Sequence, residues 1–528
     1  MRVLLINPFY PISETPSPPL GLAYLAAALE QAGVDVRVLD LVVYPYSDKM
    51  LAELLEEFKP ALVGLTAVTM NVDRALSVAR VVKRLAPQVV TVLGGPHVTF
   101  SPSETLEACA GLDIVALGEG ERTIVELSAA IEAGAGVAGV KGIAYRNGST
   151  LCFTPRRGFI RNLDTLPMPA RRLLPLGRYR ALGMPISTTT SRGCPHACIF
   201  CIGRRMVGAR VRFRTPAKVA DELASLAGLG FHQVNLADDL FTADPGRCIA
   251  ICDEILQRGL SIKWTSFARV DTVSPELLVK MKAAGCTAVS FGIESGNSGI
   301  LKSTRKGITL EQVVAAVDMC ADAGITPFAS FILGLPGETP DTLRETIAFG
   351  KRLEEKGLVY GFHILAPFPG TEVRERGGAL GIRILTNDWS RYHANRAVAE
   401  TSTVTRQMLD EIAVDWEDRF NRYLGDIKDR MQKGKADADE VYQLTNLERI
   451  VLVYDLMMKN TLERVGTWTG GQQADPAGYL NTLVRRVDAV TPHGREKIRD
   501  ALEAAASKGN LICEQTNGTV RWKWKDYL

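Results

Sequence analysis

The sequence lacks the long apolar runs of a membrane protein. Its longest apolar stretches, such as GLAYLAAAL, are far shorter than the roughly 20 residues that a membrane-spanning helix needs. The chain begins with MRVLLINP, which leads directly into a predicted strand, so we expect no signal peptide. Ten cysteines without export signals favour a reducing compartment over a disulfide framework. We therefore expect a cytoplasmic protein without a membrane partner.

An excess of charge of one sign is also missing. The 528 residues carry a formal net charge of +3, and 23% of the side chains are charged. No global basic field is available to attract a nucleic acid, so we expect none as a partner. At this length the chain should form about three domains, each with its own core.

Residues 1–140 are expected to form the first domain, because short apolar strands alternate there with amphipathic helices. The predicted strands are 2–7, 34–40, 61–66, 89–95 and 113–121, and the predicted helices are about 20–32, 49–57, 72–85 and 103–110. This repetition predicts a Rossmann-like α/β sheet with its ligand beyond the carboxyl ends of the strands. No GxGxxG follows the first strand, so a dinucleotide is not expected.

Three cysteines lie together in the string CPHACIFC, at Cys194, Cys198 and Cys201. Thiolates this close suit an iron–sulfur cluster, which usually takes four cysteines. With three, a 4Fe–4S cluster would keep one iron open for a non-protein ligand. A zinc site or unrelated buried thiols are the alternatives, although zinc would want a fourth Cys or His. Cys248 and Cys252, one helical turn apart, lack neighbouring ligands and are expected to pack in the core.

Residues 181–385 are predicted to form a partial (β/α)6 barrel, joined to the first domain by a linker at 141–180. The predicted strands are about 186–190, 232–236, 262–266, 287–293, 327–333 and 361–366, and the predicted helices are near 216–229, 246–258, 274–284, 310–323 and 340–356. The linker begins with a small hairpin that turns at Asn147-Gly148.

These segments resemble one enzyme family. The CxxxCxΦC pattern, with Phe200 as its aromatic residue, is similar to that of the radical S-adenosylmethionine (SAM) superfamily, and NLADDLFT, FGIES, FILGLPGE and APFPGT follow in family order. NPFYP…PPLGLAYLAA, VGLTAVT, LGGPHVT and GEGE resemble the cobalamin-binding domain that precedes many radical SAM modules. The resemblance covers about residues 1–385 and implies a 4Fe–4S cluster, SAM and cobalamin as cofactors.

The resemblance also implies ligand residues. The SAM set comprises Phe200, Asp238, Asp239, Glu294, Ser295, Gly334 and Glu338. Within it, the two aspartates would hold the SAM amino group, or else cap the next helix. Glu294 and Ser295 would contact the ribose. The cobalamin set comprises Tyr10, Thr66, Thr69, Gly94, Gly95, Pro96, His97, Gly118, Glu119 and Gly120; glycine at the strand ends lets a ligand approach the backbone.

Histidine ligation of cobalt is not expected. Methionine-synthase-like cobalamin domains carry DxHxxG after the first strand, whereas the corresponding loop here, Asn7 to Gly21, contains no histidine. Tyr10 is the substitute that this loop offers near cobalt. His97 either contacts cobalamin or lies on a surface loop. A degenerate domain that binds no cofactor is the remaining alternative.

Residues 386–528 are predicted to form a mainly helical domain that covers the open side of the barrel and shapes the substrate site. An apolar stripe runs from Met408 to Ile427 at helical spacing and is expected to face the core. Trp522 and Trp524 share one face of a predicted hairpin strand and either line a substrate surface or are buried. Tyr392 and its neighbour His393 are expected to reach the barrel mouth.

The resemblance implies a cobalamin-dependent radical SAM C-methyltransferase. A 5′-deoxyadenosyl radical would abstract hydrogen from an unactivated carbon, and methylcobalamin would supply the methyl group. An external one-electron reductant of the ferredoxin or flavodoxin type would be needed. The substrate would be a protein or peptide, such as a glutamine of methyl-coenzyme M reductase, or a small-molecule natural product. A cyclase or ring-rearranging enzyme and a non-enzymatic cobalamin carrier or sensor are the alternatives, and the last would not need the Cys194 triad.

Overall fold

The computed structural model describes residues 1–9, 16–469 and 476–528. The strands are β1 (Arg2–Asn7), β2 (Asp35–Asp40), β3 (Leu62–Thr66), β4 (Val90–Gly94), β5 (Ile114–Ala116), β6 (Ile143–Asn147), β7 (Thr150–Phe153), β8 (Ile186–Thr188), β9 (Ser191–Arg192), β10 (Arg212–Phe213), β11 (Gln233–Leu236), β12 (Lys263–Ala268), β13 (Cys286–Glu294), β14 (Thr326–Leu333), β15 (Val359–Ile364), β16 (Ile382–Ile384), β17 (Ala399–Thr401), β18 (Thr467–Thr469), β19 (Leu511–Thr516) and β20 (Thr519–Trp524).

The α-helices are α1 (Leu20–Gln31), α2 (Asp48–Phe58), α3 (Val72–Leu85), α4 (Pro96–Phe100), α5 (Pro102–Glu107), α6 (Glu121–Glu132), α7 (Leu176–Leu182), α8 (Gly203–Val207), α9 (Pro216–Gly228), α10 (Pro245–Gln257), α11 (Pro275–Ala283), α12 (Ser298–Ser303), α13 (Leu310–Ala323), α14 (Pro340–Glu354), α15 (Glu372–Glu375), α16 (Arg406–Gln432), α17 (Ala438–Met458), α18 (Thr461–Val465), α19 (Pro476–Asp488) and α20 (Arg495–Ser507). Short 3-10 turns lie at Thr69–Asn71, Val137–Gly139, Leu163–Thr165, Arg171–Leu173, Phe241–Ala243, Val270–Thr272, Gly378–Leu380 and Trp389–Arg391.

The first sheet has the strand order β2-β1-β3-β4-β5-β6-β7. Strands β1 to β5 are parallel, as the alternating pattern predicts, and helices cover both faces because both faces of the central strands are apolar. Two predictions need correction. The fifth strand ends at Ala116 rather than at 121, because Gly118 turns the chain at φ +73° and α6 begins at Glu121. The β6–β7 hairpin, expected in the linker, pairs with β5 and so extends this sheet.

The second sheet is an open, parallel six-stranded barrel segment with the order β15-β14-β13-β12-β11-β8. Burial alternates along its strands: Trp264, Phe291 and Phe331 pack outward under the helices, whereas the side chains between them face the concave interior. β8 and β15 form its two edges, so the barrel is open between them. The predicted partial (β/α)6 barrel is therefore confirmed.

The C-terminal region is mainly helical, but it does not separate from the rest of the chain at residue 386. Trp389 and Tyr392 are buried in the core of the first domain, so Tyr392 does not reach the barrel mouth as expected. The three-stranded sheet β18-β20-β19 closes the region, and Trp522 and Trp524 are buried there with α17 and α7. Of the two uses open to these tryptophans, burial in a core is the one observed.

Helix α16 packs along the β15 edge of the barrel, on the outward face that also carries Phe331. Trp416 packs against Tyr360 and Phe362 of β15, with ring centroids 5.1 and 4.9 Å apart. Helix α17 follows and lies against α7, which precedes the opposite edge strand β8. The expectation that the whole Met408–Ile427 stripe faces the core is wrong for Phe420 and Tyr423, which are 54% and 45% exposed.

Within the described ranges, no helix has the length and apolar character required to cross a bilayer.

Candidate functional site

A cavity of about 340 Å³ lies between the first domain and the barrel. Its floor is apolar and includes Leu5, Leu65 and Ile124, and its rim is formed by Thr66 at the carboxyl end of β3 and by glycines that end or follow β4 and β5. The barrel supplies the opposite wall through the segments around Arg192 and Asp239. An apolar slot with a few polar groups is typical of a small-ligand or cofactor site.

The three cysteines lie in one loop at the edge of this cavity. This loop, residues 193–211, is called the cluster loop, and its neck is the antiparallel pair β9–β10. Gly193 takes φ +119°, and a Cβ there would lie 2.4 Å from the Arg210 carbonyl oxygen, so the neck requires glycine. Cys194, Cys198 and Cys201 are free thiols. Three free thiols on one loop are the donor set that an iron–sulfur cluster uses.

No three His, Cys, Asp or Glu side chains in the described part of the chain lie together as a site for a single metal ion. Cys248 and Cys252 are fully buried, and the Cys248 thiol donates to the Phe241 carbonyl oxygen at 3.1 Å. Burial raises the pKa of both thiols to about 12. They pack in the core, as predicted.

The two adjacent aspartates have different surroundings. Asp238 is 2% exposed and accepts hydrogen bonds from the Thr190 amide (2.5 Å), the Thr190 hydroxyl (2.6 Å) and the Ser191 hydroxyl (2.6 Å). Its acceptor positions are used to hold the neck of the cluster loop, so the expectation that Asp238 binds SAM needs correction. Asp239 is exposed and lines the cavity, and it accepts a long hydrogen bond of 3.4 Å from the Gly193 amide.

At the end of β13, Glu294 forms a buried ion pair with Lys306 at 2.7 Å. Glu294 takes φ +72°, a conformation that is rare outside glycine and often found at functional sites. A Cβ at Gly292 would lie 2.4 Å from a Glu294 carboxylate oxygen, so the glycine makes room for the pair. Ser295 is fully buried and contacts Thr346 of α14 at 3.1 Å, so it does not face a ribose as expected.

The turn after β14 is held by Glu338. Its carboxylate accepts from the Gly334 amide (2.6 Å) and the Leu335 amide (3.0 Å), while its second oxygen has no partner among the described residues. Burial raises the pKa of Glu338 to about 7. A Cβ at Gly334 would lie 3.1 Å from Leu409 of α16, so this glycine gives room for the packing of that helix. Phe200 is half-buried against the apolar cluster that contains Leu335.

The residues predicted to bind cobalamin separate into two groups. Those that line the cavity are Thr66, Gly94, Gly95, Gly118, Glu119 and Gly120. Those that turn away from it are Thr69, Pro96 and His97. His97 is 3% exposed, contacts the Thr69 hydroxyl through Nδ1 at 3.2 Å and packs against Trp389, so it is not on a surface loop. Tyr10 lies outside the described residues.

The concave face of the barrel below the cavity is lined by small side chains. Gly292, Ser330 and Gly361 lie in register on β13, β14 and β15, and Ser290 lies two residues before Gly292 on β13. A Cβ at Gly361 would meet no atom within 4 Å. Phe267 and Phe328 stand on either side of Ser290 in register and are 52% and 39% exposed. The barrel interior is therefore an open space with aromatic walls.

Several residues of the site carry no sequence signal strong enough to find them. Lys306 lies far from any motif, and Arg192 and Arg212 look like ordinary surface arginines in the sequence. Gly64 also lines the cavity, and a Cβ there would lie 2.9 Å from Leu5. Of these residues, only Arg192 is marked by its position in the sequence, because it directly precedes Gly193 and the first cysteine of the motif.

Comparisons with known proteins agree with this architecture. Residues 13–128 match the model of the B12 binding domain, and residues 188–350 match that of the radical SAM superfamily. An uncharacterized methyltransferase of Pyrococcus horikoshii is 36% identical over 420 residues, which are 78% of this chain and 90% of that protein. The anaerobic magnesium-protoporphyrin IX monomethyl ester cyclase of Rubrivivax gelatinosus is 29% identical over 524 residues, 95% of this chain and 91% of that protein.

Among solved structures, the radical SAM methyltransferase TsrM of Kitasatospora setae, with cobalamin and a [4Fe-4S] cluster bound, has the same fold. The TM-score is 0.64 at 21% identity, over 96% of this chain and 99% of TsrM. The chain belongs to the cobalamin-dependent radical SAM enzymes of the methyltransferase type. Its cofactors are a 4Fe–4S cluster, SAM and cobalamin.

Proposed function

We propose that this protein methylates an unactivated carbon of its substrate. The observation that carries the proposal is the shared wall of the cavity: the first domain and the cluster loop meet there, beside the segments that follow β8 and β11 of the barrel. When bound, cobalamin supplies the methyl group, and the cluster with SAM supplies the radical that activates the carbon. The chain's own work is to bind these groups side by side and to exclude water.

The cofactor-binding residues follow from the placement of side chains. Cys194, Cys198 and Cys201 would hold the cluster, because they are free thiols on one loop. Asp239 would orient SAM, because its exposed carboxylate suits an ammonium group. The glycine-rimmed cavity with Thr66 and Glu119 would hold cobalamin. Asp238 and Ser295 would not contact the cofactors. Asp238 would hold the neck of the cluster loop, and Ser295 would hold the end of β13 against α14.

The barrel interior is proposed as the substrate site. Its small residues leave room for a substrate, and the exposed rings of Phe267 and Phe328 present apolar surface to it. Aromatic walls favour a substrate with an apolar portion, such as a small-molecule natural product, over the amide of a glutamine side chain. A protein or peptide glutamine is the second candidate and is tested beside it.

The proposal is tested by anaerobic turnover with deuteromethyl-labelled SAM, cobalamin and reductant. Small-molecule extracts and synthetic glutamine peptides are offered in parallel, and products are identified by mass spectrometry. Methylation should give roughly one 5′-deoxyadenosine and one S-adenosylhomocysteine per labelled product. Substrate conversion with deoxyadenosine but without S-adenosylhomocysteine would instead identify a cyclase or rearranging enzyme, and absence of both products would leave a cobalamin carrier.

We also propose that a one-electron donor of the ferredoxin or flavodoxin type docks at the cluster loop. Cys201 is exposed, and Arg204, Arg205 and Arg210 are exposed on the same loop. Although Arg205 is paired with Glu375, the positive side chains beside the cluster suit an acidic electron carrier, since complementary charge mainly raises the rate of association.

A further inference from the structure

Four charged side chains from two domains form one buried cluster beside the cavity. Glu119 and Glu121 come from the first domain, where β5 leads into α6, and Arg192 and Arg212 come from the neck of the cluster loop. Arg192 contacts Glu119 at 3.1 Å and Glu121 at 2.6 Å, and Arg212 contacts Glu119 at 2.9 Å. These four residues are called the neck cluster. None of their side chains is more than 16% exposed.

The neck of the cluster loop is electrostatically incomplete without the first domain. Arg192 and Arg212 lie directly opposite each other in the β9–β10 pair, and like charges in that position repel. The two glutamates neutralise them, and Glu119 also accepts from the Ile160 amide at 2.7 Å. Arg192, two residues before Cys194, and its partner Arg212 are thus held in place by two carboxylates of the first domain.

The neck cluster also forms part of the cavity wall. Glu119, Glu121 and Arg192 all line the cavity. Glu121 is 6% exposed, and its Oε2 has no hydrogen-bond partner within the described ranges. A buried carboxylate oxygen without a donor is costly, and a ligand in the cavity with an N–H or O–H group would supply the missing bond.

We propose that the neck cluster couples ligand binding in the cavity to the geometry of the cluster loop, with Glu121 as the residue that contacts the ligand. The proposal rests on the proposed function, which places cobalamin in this cavity. A ligand N–H or O–H group that donates to Oε2 would fix the orientation of the Glu121 carboxylate. The carboxylate would in turn fix the guanidinium group of Arg192, and Arg192 holds the strand β9 that leads into Cys194. Arg192 and Arg212 are positioning residues in this scheme. Because coupling between two sites is reciprocal, an assembled 4Fe–4S cluster on the cluster loop should strengthen cobalamin binding.

The experiment is a binding cycle rather than an activity assay. The cobalamin dissociation constant is measured anaerobically by absorbance titration, for cluster-loaded and for cluster-free protein. The measured quantity is the ratio of the cobalamin dissociation constants without and with the 4Fe–4S cluster. In the wild type we expect this ratio to be at least about five, the lower end of ordinary coupling between two sites. In Arg192→Met the ratio should fall to near one. Glu121→Gln should weaken cobalamin binding at least about tenfold in the loaded protein, because a charge-assisted hydrogen bond is lost.

The matched control is Arg258→Met. Arg258 also pairs with two carboxylates, Asp221 and Glu254, but on the outer helices α9 and α10. It should keep the wild-type ratio. If Arg192→Met fails to fold by circular dichroism, Arg192→Lys replaces it; this variant keeps the charge but loses the two-pronged fork, so the ratio should still fall.

Three results would overturn the coupling while leaving the proposed function intact: a wild-type ratio near one, a variant at Arg192 that keeps the wild-type ratio, or unchanged cobalamin affinity in Glu121→Gln. If cluster-loaded wild-type protein binds no cobalamin at all, the proposed function fails and the coupling with it. A second readout is the paramagnetic resonance signal of the reduced cluster. Cobalamin should shift this signal in the wild type but not in the Arg192 variant.

Discussion

Asp238 and Asp239 differ in role because the chain bends after β11 and leaves the first carboxylate buried and the second exposed. Asp238 turns into the protein and is saturated by three hydrogen bonds, whereas Asp239 faces the cavity. We expect Asp239→Asn to weaken SAM binding by about 1.5–3 kcal/mol, the value of a charge-assisted hydrogen bond. Isothermal titration of the cluster-loaded protein measures this loss.

Asp238→Asn serves as the paired variant. It should lower the unfolding temperature and the iron content, because an NH2 donor replaces either Oδ1, which faces the Thr190 amide, or Oδ2, which faces the Thr190 and Ser191 hydroxyls. The fraction of Asp238→Asn protein that carries a 4Fe–4S cluster should bind SAM with nearly the wild-type dissociation constant. Loss of SAM affinity in Asp238→Asn but not in Asp239→Asn would reverse the assignment of the two residues.

His97 illustrates how a conspicuous motif residue can belong to the core. Burial, aided by Arg374, lowers the pKa of His97 from 6.5 to about 4, so the folded state holds the neutral ring. As the pH falls from about 6.5 through about 4, the unfolded chain binds a proton that the folded state refuses, and stability is lost. Relative to His97→Gln, cluster-free wild-type protein should lose about 1–3 kcal/mol more across this range in urea unfolding. Parallel profiles would contradict this prediction.

The cobalt ligand is a separate prediction at the residue scale. The Asn7–Gly21 loop has no histidine, and His97 points to Thr69 and Trp389 instead of lining the cavity. We expect cobalamin to bind base-off without a protein nitrogen on cobalt. The cob(II)alamin paramagnetic resonance spectrum should then lack nitrogen superhyperfine splitting, and clear splitting would show that a nitrogen donor reaches cobalt.

At the scale of elements, the cluster loop should act as an independent donor unit. The Cys194, Cys198 and Cys201 triple alanine variant should reconstitute without a cluster and form no 5′-deoxyadenosine, because no other cysteine lies on this loop. Cys248→Ser should leave the iron content unchanged, since that thiol packs against the Phe241 carbonyl in the core. A full cluster in the triple variant would refute the ligand assignment.

The same loop should determine how fast an electron donor docks. Charge reversal in Arg210→Glu should slow reduction by flavodoxin, most strongly at low ionic strength, because salt screens exposed charges. Reduction by dithionite, a small anion that needs no protein docking surface, serves as the comparison and should change much less. Equal slowing by both reductants would indicate damage to the cluster site rather than a lost docking surface.

The elements were also the part of the fold most open to prediction. The barrel strands are short apolar runs between polar ends, so their positions in the sequence are accurate to a few residues. The prediction misses helix α6, although Ile124, Leu127 and Ile131 recur at helical spacing, because the helix follows the GEGE turn without a side-chain cap. Helix α16 has an apolar stripe that is only partly buried, since periodicity indicates a face but not what covers it.

For the molecule as a whole, the motifs identified the cofactors, but the contacts between domains were beyond prediction. Arg192 and Glu121 are about 70 residues apart in the chain and meet only because the domains pack together. Trp389 likewise joins the core of the first domain from the far side of the barrel sequence. Such pairings depend on three-dimensional placement, which residue type and local spacing do not contain.

The open side of the barrel, between β15 and β8, also involves distant parts of the chain. The α16–α17 pair runs from the β15 edge, where Trp416 packs on Tyr360 and Phe362, to α7 beside the opposite edge. We propose that this pair covers the open side of the barrel, because radical intermediates need protection from water and stray hydrogen donors. Loosening that cover should uncouple radical formation from methylation while leaving the cofactor sites in place.

We therefore expect Trp416→Ser to bind cobalamin and cluster normally but to form several-fold more 5′-deoxyadenosine per methylated product than the wild type, because quenching competes with transfer. Tyr442→Ser, on the outward face of α17 at 68% exposure, is the matched control and should keep the wild-type ratio. The ratio is measured by quantitative mass spectrometry of both products in one anaerobic reaction. An unchanged ratio in Trp416→Ser, with α16 shown by hydrogen exchange to be loosened, would mean that the C-terminal region is an accessory module rather than a cover.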